Sequence, residues 1–267
     1  KTSQFTPYCE VVSKENGSME RDYEFSSKRF FSEMLKPKHI GTKAAELAIR
    51  KLNPRKIKSE KIDIIFDKRI SKNFLSTFAS AISSNAIAKG TTFLKDKINE
   101  IVFNEKINII DKGNIKRANG SRYFDSEGVK IEELKLVKNG ILSDYLIDTY
   151  NGKKINKQSN GRSSGTTNLY FEKGSISFEN LIRSKNRILY VTETIGRGAN
   201  IITGDYSVGA SGLIIENGEF VYPVSEITIA GNFNEIFKNI ILADDLEFNY
   251  STNAPTILVS GMIVGGK

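Results

Sequence analysis

One histidine, His39, and one cysteine, Cys9, bound the chemistry open to these 267 residues. A hydrolytic zinc site draws on histidine, cysteine and carboxylate ligands and leaves one position to water. His39 stands in a Lys-Pro-Lys-His stretch with no second histidine at helical spacing, so it reads as an exposed or locally bonded loop side chain. The same count removes a Ser-His-Asp or Cys-His nucleophile, because each needs an imidazole base. Carboxylates remain. Asp244-Asp245, or Asp125 with Glu127, are the groups a magnesium or calcium site would recruit, and Glu193, Asp205, Glu219 and Glu226 stand near a glycine-rich stretch. Acidic neighbours in loops are commonplace, and roles in tight turns outweigh acid–base work for these residues.

The densest unusual segment runs Gly196-Arg197-Gly198-Ala199-Asn200 and then from Thr203, Gly204, Asp205, Tyr206, Ser207, Val208 and Gly209 to Gly212. Glycine at this density permits close approach of another backbone, and short polar side chains supply handles. The segment lacks the phosphate-binding lysine of a P-loop and does not match the dinucleotide fingerprint. Two readings stay level: capture of an extended peptide or a partner's loop through main-chain hydrogen bonds, and a plain glycine-rich barrel corner.

The elements that must position these groups follow from pattern. Alternating polarity on either side of Glu15-Asn16-Gly17 predicts a β-hairpin ending near Phe25. Apolar spacing predicts a helix over 41–52, stopped at Asn53-Pro54, a strand over 62–66 and one helix over 71–88. Beyond Lys106, Asn-Gly pairs at 119, 139, 151, 160 and 217 punctuate the chain as turns. They predict hairpins of 134–137 with 141–147 and of 213–216 with 220–224. Short helices over 178–184 and 233–239, a buried strand over 188–192 and a closing strand over 256–264 complete an α+β fold. In it, helices of the first third precede a mainly antiparallel, barrel-like β region sharing one core.

With 39% hydrophobic residues the chain can fill such a core. It contains no apolar run long enough to span a membrane, and the lack of a cysteine pair fits a reducing compartment, so a cytoplasmic location is expected. The formal charge of +8 raises nucleic acid as a partner. Lys51, Arg55, Lys56, Lys58 and Lys61 surround a helix end without interleaved aromatics, however, and read as a solvated basic face. The chain does not begin with methionine and its first segment already resembles a strand, which leads to the expectation of an upstream portion.

Tyr190 to Asn232, YVTETIGRGANIITGDYSVGASGLIIENGEFVYPVSEITIAGN, resembles the carboxy-terminal signature of the TldD/PmbA peptidase family. Asn16–Ser26, Asn53–Ser59, Gly90–Asp96 and Phe124–Val129 resemble its PmbA/TldE branch in the expected order. The resemblance implies that residues 1–30 end an amino-terminal domain and that 31–267 form the helical and carboxy-terminal β domain. It further implies a two-component metallopeptidase. The TldD subunit carries a helix with a His-Glu pair and a second histidine five residues after the first, and a later cysteine completes its metal site. The corresponding run here, Ala79-Ser80-Ala81-Ile82-Ser83-Ser84, has neither histidine nor glutamate, and the late cysteine is missing. The implied role is a non-catalytic subunit with no metal of its own, pairing with a TldD-type chain that holds a zinc-like metal, or forming a homodimer. The implied substrates are small unfolded peptides, as in peptide-antibiotic maturation and antitoxin turnover. Gly196, Gly198, Thr203, Gly204, Asp205, Tyr206, Ser207, Gly209, Glu226 and Asn232 are the residues expected to contact partner or substrate. A self-sufficient homodimeric peptidase using carboxylates or a carboxylate-bound metal, and a regulator linked to DNA gyrase inhibition, are the alternatives.

Overall fold

Asn16 and Gly17 adopt φ of 48° and 83°, the left-handed turn that matches strand twist and that asparagine and glycine adopt at least cost. Around them, in the computed structural model, which describes residues 3–196 and 198–266, β1 (Tyr8–Glu15) and β2 (Ser18–Phe25) pair antiparallel as predicted. Helix α1 (Pro37–Ile49) packs across both strands and buries Ile40, Ala44 and Ala48. It starts earlier than the pattern suggested because Pro37 occupies the first turn, where a missing N–H costs nothing. His39 is therefore an exposed residue of the helix rather than of a loop.

The barrel is built from long apolar runs. Strand β3 (Glu60–Phe66) leads into α2 (Lys68–Ala81) and α3 (Ser84–Lys89). The predicted single helix over 71–88 is thus two. Ser83 leaves helical geometry and its side chain accepts from Ala86 N–H, while Ile82 O accepts from Leu146 N–H and Leu146 O accepts from Ser84 N–H, at 3.0 and 2.8 Å. Those two bonds also explain a second departure. The strand predicted over 141–147 is only β6 (Ile141–Leu142), because the backbone at Leu146 is committed to the helix junction.

Between these elements lie β4 (Ile109–Asp111), β5 (Leu134–Lys138), α4 (Thr149–Lys154), β7 (Leu169–Phe171) and α5 (Phe178–Ile182). They are followed by β8 (Arg187–Ile195), β9 (Asp205–Glu216), β10 (Glu219–Asn232), α6 (Phe233–Ile236), β11 (Ile240–Leu242), β12 (Thr252–Asn253) and β13 (Ile257–Gly265). Asn151-Gly152, expected as a turn, lies inside α4, capped by Asp148. Strands run β10-β9-β8-β3-β13, and β13 pairs back onto β10, closing a barrel in which only the β3–β8 pairing is parallel. Strand β11 takes the remaining length of β13. A second sheet, β12-β7-β4-β5-β6, had no counterpart in the sequence reading beyond the β5–β6 hairpin.

Helix α2 presents Phe74, Leu75 and Phe78 to a core that runs continuously from the barrel interior to the second sheet. Phe103 and Phe237 stack there with ring centroids 4.2 Å apart. Adjacent Ile64 and Ile65 of β3 point to opposite faces, the first into this core and the second into a smaller cluster containing α5 residues Leu181 and Ile182. Both faces of β3 are covered, which accounts for its unbroken apolar run. Among the described residues, no helix is long and apolar enough to cross a membrane.

Candidate functional site

The glycine-rich segment is a strand preceded by a corner, not one loop: β9 begins at Asp205 and pairs with β10 along its whole length, from Asp205↔Asn232 to Glu216↔Glu219. Its glycines allow contact within the chain. A Cβ on Gly212 would stand 2.1 Å from Tyr190 O, beside the irregularity in β8 between Val191 and Glu193. One on Gly198 would stand 2.5 Å from Ser207 O. Gly196 (φ 94°) and Gly204 (φ 82°) turn the chain at either end of the corner.

Four of the predicted contact residues meet at that corner. Thr203 Oγ1 donates to Asp205 Oδ2 at 2.6 Å, and Asn232 Nδ2 donates to Asp205 Oδ1 at 3.0 Å and to Thr203 O at 3.3 Å. Gly204 O accepts from Phe233 N–H at 2.7 Å. The bonds from Thr203 and Asn232 hold the exposed Asp205 carboxyl below its ordinary pKa. Ser207 is exposed and Gly209 half-buried on the same strand. Tyr206 turns inward, its ring 5.4 Å from Phe233 and 5.9 Å from Phe74, and burial pushes its hydroxyl far up. Glu226 is not part of this group. It sits with φ 54° in an irregular stretch of β10 and pairs with Lys56 at 2.7 Å. Arg197 lies outside the described residues.

The corner reaches a groove. Ile201 O accepts from Phe93 N–H at 2.9 Å, and Ile201 lines an open groove of about 640 Å³ whose walls are the α2–α3 junction and residues 162–169. Ser76, Ser80, Ser83 and Ser84 present hydroxyls along the helical wall, and Ser163 and Thr166 stand opposite. This is the place where the resemblance implies a metal-binding helix in TldD. The donors do not fit a metal. The helical wall offers neutral hydroxyls and methyl groups, and Asp148, a carboxylate of the lining, already accepts from Ser84 Oγ at 2.7 Å and from Asn151 Nδ2 at 2.8 Å. Among the described residues no three His, Cys, Asp or Glu side chains form a group that could hold a metal ion.

A second feature escaped the sequence reading. A cleft of about 620 Å³ opens between the hairpin, α1 and the barrel, with His39 on its rim. Beneath it Lys51 Nζ lies 2.9 Å from both Asp22 Oδ2 and Glu193 Oε2, and Arg69 Nη1 lies 2.9 Å from Asp22 Oδ1. Arg69 Nε reaches Asp67 Oδ1 at 3.2 Å, and Tyr190 OH donates to Asp67 Oδ2 at 2.5 Å. Burial pushes the Asp22 carboxyl up, but Arg69 and Lys51 outweigh it and leave the pKa below its ordinary value. Nearby, Lys72 Nζ stands 3.3 Å from the Tyr250 ring centroid, and burial pushes its pKa down to about 8. The expected solvated basic face is corrected at Lys51, which is 6% exposed and serves as the tie between hairpin and barrel. No local pattern marks these partners, which stand at positions 22, 51, 69 and 193.

Residues 59–266 match the family model described as the PmbA/TldA metallopeptidase C-terminal domain. The chain is 35% identical over 268 residues to the "Metalloprotease PmbA homolog" of Buchnera aphidicola subsp. Acyrthosiphon pisum, covering 100% of this chain and 60% of that protein. It is likewise 35% identical over 268 residues to the protein of that name from Haemophilus influenzae, covering 100% and 59%. The crystal structure of a putative modulator of DNA gyrase from Bacteroides thetaiotaomicron superposes with a TM-score of 0.93 at 30% identity, over 99% of this chain and 60% of that one. The chain thus spans about 60% of the length of the relatives it matches.

Proposed function

The chain belongs to the PmbA/TldA metallopeptidase family, and we propose that it acts there as the non-catalytic partner of a TldD-type subunit, the two enclosing a chamber in which small unfolded peptides are cut. The observation that carries this reading is the α2–α3 junction, where Ala79 to Ser84 offers hydroxyls and methyl groups and no metal ligand. A zinc-like ion would polarise the scissile carbonyl and supply the attacking water. On this reading it belongs to the partner. This chain supplies position. Hydroxyl oxygens along the helical wall, whose own protons go to Lys72 O, Ser76 O, Ser80 O and Asp148 Oδ2, keep lone pairs to accept from peptide N–H groups whatever the side chains, which suits unfolded substrates of varied sequence. The corner at Thr203, Gly204, Asp205 and Asn232 follows Ile201, which lines the groove, and on this reading it meets either the peptide or the partner.

The test is hydrolysis of an unstructured peptide by the full-length protein, alone and mixed with its TldD-type partner, with metal assayed in each sample. Activity and metal only in the mixture, both lost when the partner's ligands are replaced, support the reading. Activity with stoichiometric metal in the protein alone overturns it.

A further inference from the structure

Asn-Gly occurs at six places in this chain, at Asn16, Asn119, Asn139, Asn151, Asn160 and Asn217. The pair has a chemistry of its own, because glycine offers little steric resistance to a backbone nitrogen folding back on the preceding side chain. The structure sorts the six into two groups by hydrogen bonding.

Four are held. Asn119 Nδ2 donates to Ser27 O and Asn249 O, both at 3.1 Å, while Gly120 N–H donates to Asn168 Oδ1 at 2.9 Å. Asn139 stands at a hairpin tip, but Gly140 N–H donates to Ile107 O at 2.9 Å, and a Cβ there would lie 2.6 Å from Phe103 O, so the tip is pressed against the segment before it. Asn151 Nδ2 donates to Asp148 Oδ2 at 2.8 Å, and Gly152 N–H is bound within α4 to Asp148 O at 3.0 Å. Asn160 Nδ2 donates to Tyr145 O at 2.8 Å while its Oδ1 accepts from Ile147 N–H at 3.0 Å.

Two are free. Asn16-Gly17 and Asn217-Gly218 cap the β1–β2 and β9–β10 hairpins with both residues at positive φ. Asn16 and Asn217 are exposed, and among the described residues neither their side-chain amides nor the N–H of Gly17 or Gly218 has a hydrogen-bond partner. A tight hairpin turn aims the N–H of its second central residue at solvent, which leaves the nucleophile unengaged.

We infer that Asn16 and Asn217 are the deamidation sites of the folded protein and that the other four are protected. In the step, the glycine nitrogen attacks Cγ of asparagine, the new N–Cγ bond forms, the Cγ–Nδ2 bond breaks, and ammonia leaves carrying the glycine proton. Water then opens the cyclic imide at either carbonyl to give aspartate or isoaspartate. The isoaspartate adds a backbone methylene to a turn whose geometry sets strand register. At position 217 either product places a carboxylate next to Glu216 and close to Glu219.

The test incubates the full-length protein, folded or unfolded in urea, in mildly alkaline buffer. Peptides are mapped by mass spectrometry, and isoaspartate is labelled with an isoaspartyl methyltransferase. In the folded sample, positions 16 and 217 convert at least about tenfold faster than the other four, the ratio that a local opening cost of about 1.4 kcal/mol imposes. In urea all six convert at similar rates. Asn16→Ser and Asn217→Ser variants lose the signal only from their own peptides. Conversion at 119, 139, 151 or 160 as fast as at 16 and 217 in the folded protein overturns the inference, as does conversion at 16 and 217 in urea alone.

Discussion

Asp111→Ala tests how the groove wall is held. Asp111 and Arg162 are both fully enclosed, with side-chain exposures of 0%. The carboxylate accepts from Arg162 Nε at 2.5 Å, from Thr167 N–H at 2.7 Å and from Thr167 Oγ1 at 2.9 Å, so it pins the 162–167 segment that faces the α2–α3 junction. Removing one partner of a buried ion pair costs about 3–5 kcal/mol, because the other charge stays buried without its counter-ion. Two features set the value within that range. Arg162 keeps bonds to Glu132 O at 2.8 Å and Asn160 O at 2.9 Å, which lowers the cost, while Thr167 N–H loses its acceptor, adding about 1 kcal/mol. The expected loss is about 4 kcal/mol, or roughly 10 °C in Tm for a chain of this size. Urea and thermal unfolding of the purified protein measure it. An Asp111→Leu/Arg162→Met double variant should recover part of the loss, since it removes the stranded Arg162 charge while Thr167 N–H, Glu132 O and Asn160 O stay without their partners. A loss below about 1 kcal/mol for Asp111→Ala, or a double variant no more stable than the single, would refute the reasoning.

Gly212→Ala should cost about 2–3 kcal/mol in urea unfolding, since its methyl would meet Tyr190 and Val191 backbone atoms that cannot yield without opening the barrel. Lys72 gives a pH signature. Its folded pKa of about 8 lies below that of an unfolded lysine near 10.4, so the unfolded chain binds more protons between those values and stability rises with pH across that window. Lys72→Met should abolish that rise in unfolding free energies measured from pH 7 to 10.5, and an unchanged profile would remove the assignment. Asp205→Ala, with the fold retained by circular dichroism, should weaken pairing with a TldD-type subunit or slow peptide hydrolysis by the mixture. Unchanged pairing and rate would leave the corner a purely structural feature.

Local chemistry determined much of this protein from sequence alone. Asn-Gly between alternating runs specifies tight hairpins because few residues tolerate positive φ, and β1–β2, β5–β6 and β9–β10 all turn on such pairs. A single histidine limits the imidazole chemistry that these 267 residues could carry by themselves, and the Tyr190 to Asn232 signature pointed to the family that residues 59–266 match. What remained needed long-range contact. Strands β4, β7 and β12 are two or three residues long, too short to display a period, and exist only because neighbours satisfy their backbones. The division of α2 from α3 depends on Leu146, distant in sequence from Ser84. Barrel closure rests on Thr228 to Ala230 meeting Ile263 to Gly265. Burial of Lys51 among Asp22 and Glu193, and of Arg162 against Asp111, leaves no local trace either, because a charge shows in sequence as a solvated residue until the fold brings its counter-ion to it.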